Sequence, residues 1–293
     1  MNLFKALFGN ADATPEDEKR EADARRFDLM KYDGVKAMKT GRFDYAERCF
    51  TEALQLHDDL EARDYLSRVL VQQDKYAEAL EQLDLLIAHQ PDNAGLLLQA
   101  AHVAYLKEDY ALMAQYAQRA ADMEGDTAAM AAYLLAKAAI GQNDMVSAIA
   151  QLTKSLTLDE GQADARLLRG QTLLQMGDLQ GAEADAQWLM QQAPEHEDVL
   201  LLAARVAAGK GDKDQALLIY NKVTEVNPFQ IDAYKERGQL RYDSGDKTGA
   251  QEDLQKVLEL NPDEMADVSG DYSAEGIEKK VKQAYSMLNP FGL

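Results

Sequence analysis

Apolar residues recur along this chain at three- and four-residue intervals, in short blocks separated by polar breaks, which is the spacing of one buried helix face after another. The blocks themselves recur. In a register beginning at Phe27, Leu60, Ala94, Ala129, Ala163, Glu197 and Ile231, the spacings are 33, 34, 35, 34, 34 and 34 residues. A fixed period of this size marks a stacked-repeat architecture, in which each unit buries its apolar face against its neighbours.

Three places in the period carry the physical argument. The eighth holds Gly34, Ser67, Ala101, Ala136, Gly170, Ala204 and Gly238, and the twentieth holds Ala46, Ala79, Met113, Ala148, Ala182, Ala216 and Ala250. Small side chains at two fixed points predict two helices per repeat in close contact there. Between them, Gly41, Asp74, Glu108, Asn143, Gly177, Gly211 and Gly245 occupy the fifteenth place and predict the connecting turn. The twenty-fourth place supplies filler such as Phe50, Leu83, Leu152 and Tyr220, while Pro91, Pro194, Pro228 and Pro262 end four repeats.

The flanks read as caps. "TPEDEK" offers Thr14 as N-cap, Pro15 in the first helical position and acids in the first turn, so a helix is expected from Pro15 into the first repeat. Ser273 can cap a last helix carrying Ile277, Val281, Tyr285 and Leu288 on one stripe. The expected organisation is an N-terminal segment over 1–26, seven repeats over 27–264, and a capping helix with its tail over 265–293.

This pattern resembles the tetratricopeptide repeat family over about Phe27 to Asp263. The resemblance implies an all-α fold: a right-handed superhelical solenoid of seven antiparallel helix pairs with capping helices at both ends, whose first helices line a concave groove. It departs from the family pattern in two ways. No repeat carries the tryptophan common near its start, and the last repeat has Arg237, Arg241 and Lys247 where apolar residues are usual, which predicts an outer side meeting solvent or a cap. The carboxylate clamp of one subclass is also missing, because Lys31 is followed by Val35, and Tyr65, Gly95 and Gln99 stand at its other places.

Composition sharpens this picture. A net charge of -20 opposes nucleic acid and anionic membranes as partners. No run of 18 apolar residues predicts a membrane span, and a single cysteine, Cys49, excludes internal disulfides and multi-cysteine metal sites, so a cytoplasmic protein is expected. The four histidines lie in different repeats at no metal-ligand spacing, and no phosphate-binding loop or nucleophile–base pairing appears. We therefore expect no enzyme activity, no metal and no cofactor. Asp28, Glu61, Asp164, Asp198 and Asp232 share the second place, where a carboxylate favours the positive end of a helix.

The family geometry turns the fifth, ninth and twelfth places of each first helix to the groove. The fifth reads Leu98, Tyr133, Leu167 and Leu201; the twelfth Tyr105, Ile140, Leu174 and Ala208; the ninth Arg68, His102, Lys137, Gln171 and Arg205. An apolar floor crossed by donors and cations fits a peptide or protein segment with apolar anchors and acidic groups. The structural alternative is that the floor packs on neighbouring repeats and the cations offset nearby acids. Apolar anchors worth roughly 1.5–3 kcal/mol each, against about 4–15 kcal/mol for association, predict micromolar binding.

Trp188, the sole tryptophan, falls on the convex side, either as an exposed contact or tucked under a neighbouring helix. Leu3, Phe4, Leu7 and Phe8 form an apolar N-terminal segment that can cap, recruit a partner or fill a groove. Asn-Pro-Phe, a tripeptide read by some adaptor domains, occurs twice. Asn227–Phe229 sits on a repeat boundary and reads as a helix terminator, whereas Asn289–Phe291 lies in the tail. The leading expectation is a non-enzymatic interaction scaffold, with homo-oligomeric assembly through the N-terminal segment or Trp188 as the alternative.

Overall fold

The structure is a computed structural model that describes residues 14–123 and 125–261. The expected C-terminal capping helix, the apolar N-terminal segment and the second Asn-Pro-Phe lie outside these residues. The chain divides into two compact units, one ending at Asn143 and the other beginning at Asp144.

The first unit holds α1 (Pro15–Lys39), α2 (Phe43–Leu56), α3 (Leu60–Gln72), α4 (Tyr76–His89), α5 (Ala94–Leu106), α6 (Tyr110–Ala121) and α7 (Ala128–Gly141). The second holds α8 (Met145–Leu158), α9 (Ala163–Gln175), α10 (Leu179–Gln192), α11 (Glu197–Gly209), α12 (Lys213–Val226), α13 (Ile231–Asp243) and α14 (Lys247–Leu260). Fourteen helices and no strand among the described residues, two helices to each of seven repeats, make the protein all-α.

The small places are where the helices meet. All seven residues of the eighth place are buried, and all seven of the twentieth are fully buried. The closeness is measurable: a Cβ on Gly34 would meet the Phe50 ring at 2.8 Å, and one on Gly170 would meet Leu202 Cδ2 at 2.8 Å. The turn place has one conformation throughout. Gly41, Asp74, Glu108, Asn143, Gly177, Gly211 and Gly245 all have φ between 57° and 87°, the left-handed region that lets a chain leave one helix and reverse. The following residue caps the second helix where it is aspartate: Asp109, Asp144, Asp178, Asp212 and Asp246 each accept a backbone N–H three residues on.

α1 begins as its sequence predicts. Thr14 accepts from the Asp17 N–H while the Asp17 carboxylate accepts from the Thr14 N–H, a reciprocal capping box. Because α1 then runs unbroken to Lys39, Asp28 is an interior helical residue and not a helix-start acid. Glu61, Asp164, Asp198 and Asp232 do lie in first turns. Of the basic residues of the last repeat, Lys247 is exposed as expected, but the two arginines depart from expectation. Arg237 is buried, with its Nη2 2.5 Å from Asp253 Oδ1, and half-buried Arg241 donates to the same carboxylate at 2.9 Å. Instead of meeting solvent, two arginines enclose one aspartate that is only 2% exposed.

Candidate functional site

In the first unit, α5 and α7 place Tyr105, Tyr133 and Lys137 together. Ala101, Ala104 and Ala136, on the same two helices, are fully buried. Lys137 Nζ stands 3.6 Å from the centre of the Tyr105 ring and 5.8 Å from that of Tyr133, so the ammonium is held by two aromatic faces. Leu98, Tyr105, Tyr133 and Ile140 are half-buried and His102 is exposed on the same helices. Arg68, on α3, is exposed and bonded to Asp64 one turn away at 2.8 Å. Among the described residues, no carboxylate comes within ion-pairing distance of Lys137. It is therefore the cation of this unit's row that is available to an outside anion.

The second unit uses its expected site residues differently. Leu167 and Leu174, on α9, are half-buried beside Leu189, Leu202 and Trp188, and Gln171 is half-buried between them in sequence. Leu201 is a core residue, 6% exposed and packed with Ala204, Tyr220 and Leu240, so it offers no surface to a ligand. Arg205 is not free either. It grips Glu236 through Nε at 2.9 Å and Nη2 at 2.6 Å, with Asp232 at 3.3 Å. Tyr220 donates its hydroxyl to Glu236 at 2.7 Å. Burial and the adjoining carboxylate push the Tyr220 hydroxyl well above the usual range. Burial disfavours charge on Arg205, but its bonds to Glu236 outweigh that and raise its pKa further.

Trp188 is half-buried, with the Arg166 guanidinium 4.1 Å from its ring centre. Cys49 is buried, and burial pushes its thiol above the usual range. Among the described residues, no group of three or more His, Cys, Asp or Glu side chains is placed to hold a metal. No described helix is long and apolar enough to cross a membrane.

Comparison with known proteins agrees with the repeat geometry. Residues 34–94, 173–239 and 231–264 match family profiles described as tetratricopeptide repeat, together just over half of the chain. The chain belongs to the tetratricopeptide repeat family, a fold used generally as a non-enzymatic scaffold for protein interactions. A tetratricopeptide repeat protein from Parabacteroides merdae is similar in structure over 89% of this chain and 99% of its own, with a TM-score of 0.66 and 17% identity. PilW, a widely conserved type IV pilus biogenesis factor, matches with a TM-score of 0.62 and 16% identity over 76% of this chain and 98% of its own. PilF of Pseudomonas aeruginosa matches with a TM-score of 0.55 and 19% identity over 71% and 94%. At these identities the likeness is one of fold. No curated protein matches the chain.

Proposed function

We propose that the protein is a scaffold whose first unit binds an extended or helical protein segment on the face formed by α5 and α7. The observation that carries this reading is Lys137, a cation held by the Tyr105 and Tyr133 rings and lacking an internal carboxylate, on helices that also carry half-buried Leu98 and Ile140. The rings and aliphatic side chains supply area at low entropy cost, and the lysine favours a segment carrying an acidic group among apolar anchors. The working compartment we assign is a reducing cytoplasm, in keeping with a lone, buried, free cysteine. Arg205 and Leu201 have no part in this reading, since each is already engaged inside the second unit.

A displayed random-peptide library panned against the protein tests the proposal. Enriched peptides should bind in the micromolar range, and Tyr133→Asp or Lys137→Glu should each weaken them about tenfold or more, with helicity unchanged. An absence of enriched peptides, or peptides indifferent to both substitutions, would overturn it.

A further inference from the structure

The second unit builds the same polar plug twice. In the repeat of α9 and α10, Arg169 holds Asp185 at 2.7 and 2.8 Å and reaches back to Thr153 of α8 at 3.3 Å. In the repeat of α13 and α14, Arg237 holds Asp253 and reaches back to Asn221 of α12 at 2.8 Å. Arg169 and Arg237 occupy the seventh place of their repeats, Asp185 and Asp253 the twenty-third, and Thr153 and Asn221 the twenty-fifth of the repeat before. Each arginine thus fills the space between two second helices, over the first helix that lies between them.

The intervening repeat lacks the plug. Its seventh place is Ala203 and its twenty-third Ile219, with Gln187 at the twenty-fifth place of the repeat before. Where the arginine would lie there is an open cleft of about 380 Å³ between α10, α11 and α12. Its apolar lining comes from Ala186, Met190, Ala203, Val206, Ala207 and Ile219, and its polar lining from three glutamines, Asp212 and the Lys210–Glu183 pair, 2.6 Å apart. Loss of both plug charges leaves a cleft suited to an uncharged apolar side chain.

The same unit displays such a side chain. Phe229 is 75% exposed, the most exposed large apolar residue among those described. Its equivalents at the thirty-third place are Asp59, Asp92, Asp126, Gly161, Glu195 and Asp263, so an aromatic ring stands where every other repeat has an acid or glycine. The turn that presents it is held by hydrogen bonds. Asn227 Oδ1 accepts from the Phe229 N–H at 2.9 Å, the Asn227 carbonyl accepts from Gln230 N–H at 3.2 Å, and the Asn227 amide donates to Glu197. Pro228 fixes the residue between them. Val226, three residues earlier, is also exposed.

We propose that Phe229 of one copy of the chain seats in the α10–α11–α12 cleft of a second copy, making a head-to-tail contact. In this head-to-tail contact one copy gives the ring and the other the cleft, so each added copy presents a fresh ring and a fresh cleft. One ring and its rim fall well short of the roughly 1,000 Å² of a stable interface. The association is therefore weak and dependent on concentration.

Sedimentation equilibrium of the full chain, from micromolar to millimolar protein, tests this with two variants that copy residues from sister repeats. Phe229→Asp removes the ring, and Ala203→Arg with Ile219→Asp installs the plug. The wild type should rise in weight-average mass with concentration. Each variant alone should stay at monomer mass, and an equimolar mixture of the two should rise to twice that mass and no further, because it contains one competent ring and one competent cleft. Circular dichroism melts confirm that each variant is folded. A monomeric wild type throughout, undiminished association in either folded variant, or no heterodimer in the mixture overturns the proposal.

Discussion

At the scale of single residues, the turn between paired helices is the position where backbone physics constrains the chain most tightly. All seven turn residues adopt positive φ, yet only four are glycine. Asp74 and Asn143 belong to the types that tolerate this region through local hydrogen bonding, but Glu108, at φ 61°, has no such compensation from its side-chain type. Replacing it with glycine removes a steric cost of about 1–2 kcal/mol and adds an unfolded-state entropy cost of up to about 1 kcal/mol. Glu108→Gly is thus expected to stabilise the protein by about 0.5–1 kcal/mol. The reverse change, Gly177→Ala, should destabilise by a similar amount, because Gly177 has φ 80° with open space around its Cα. Thermal unfolding of both variants checks the pair; a Glu108→Gly protein melting below the wild type would show that this glutamate is not strained.

Between elements, the first unit is tied together partly by a charge contact that also sets its acid sensitivity. Lys31 on α1 donates to Asp59, the N-cap of α3, at 2.8 Å and pairs with Glu61 at 2.7 Å. Burial works against the Asp59 charge, yet bonds from Lys31 and the Ala62 N–H outweigh it and hold this carboxyl below its usual range. A depressed folded-state pKa contributes stability that is fully present above the unfolded value near 3.9 and is lost as pH falls through the lower folded value. The expectation is that Lys31→Met costs about 1 kcal/mol at neutral pH and that the difference from wild type shrinks as pH falls below about 4. Melting both proteins across pH 7 to 3 tests this, and a difference constant with pH would remove the ion pair from the account. Such pairings were the least legible part of the chain. Helix pairs, turns and contact points could be read because alanine and glycine repeat at fixed places. Arg205, by contrast, meets Glu236 31 residues away and in another repeat, so the cation row looked open at a residue that is closed by bonds no single repeat contains. The plug did leave a trace, an arginine and an aspartate sixteen residues apart in two repeats, which a search for recurring charge pairs would have found.

At the scale of the whole molecule, a stacked-repeat chain has no single core whose loss is felt everywhere; its stability is a sum of repeat and nearest-neighbour terms. The acidic excess of 20 charges adds a diffuse repulsion that salt screens, while the specific charge interactions sit in a few buried places. Asp253 is the clearest of these, since it is 2% exposed and bonded to both Arg237 and Arg241. Removing its carboxylate by Asp253→Ala leaves two guanidinium groups without their shared anion, one of them buried, and should cost about 3 kcal/mol. Nearest-neighbour coupling determines where that loss appears. Amide hydrogen exchange in the variant should accelerate through α13 and α14 and to a lesser degree in α12, while α3 to α6 keep wild-type protection. Equal acceleration from α3 through α14 would mean that the chain unfolds as one cooperative body, with a stability that is not a sum over neighbouring repeats.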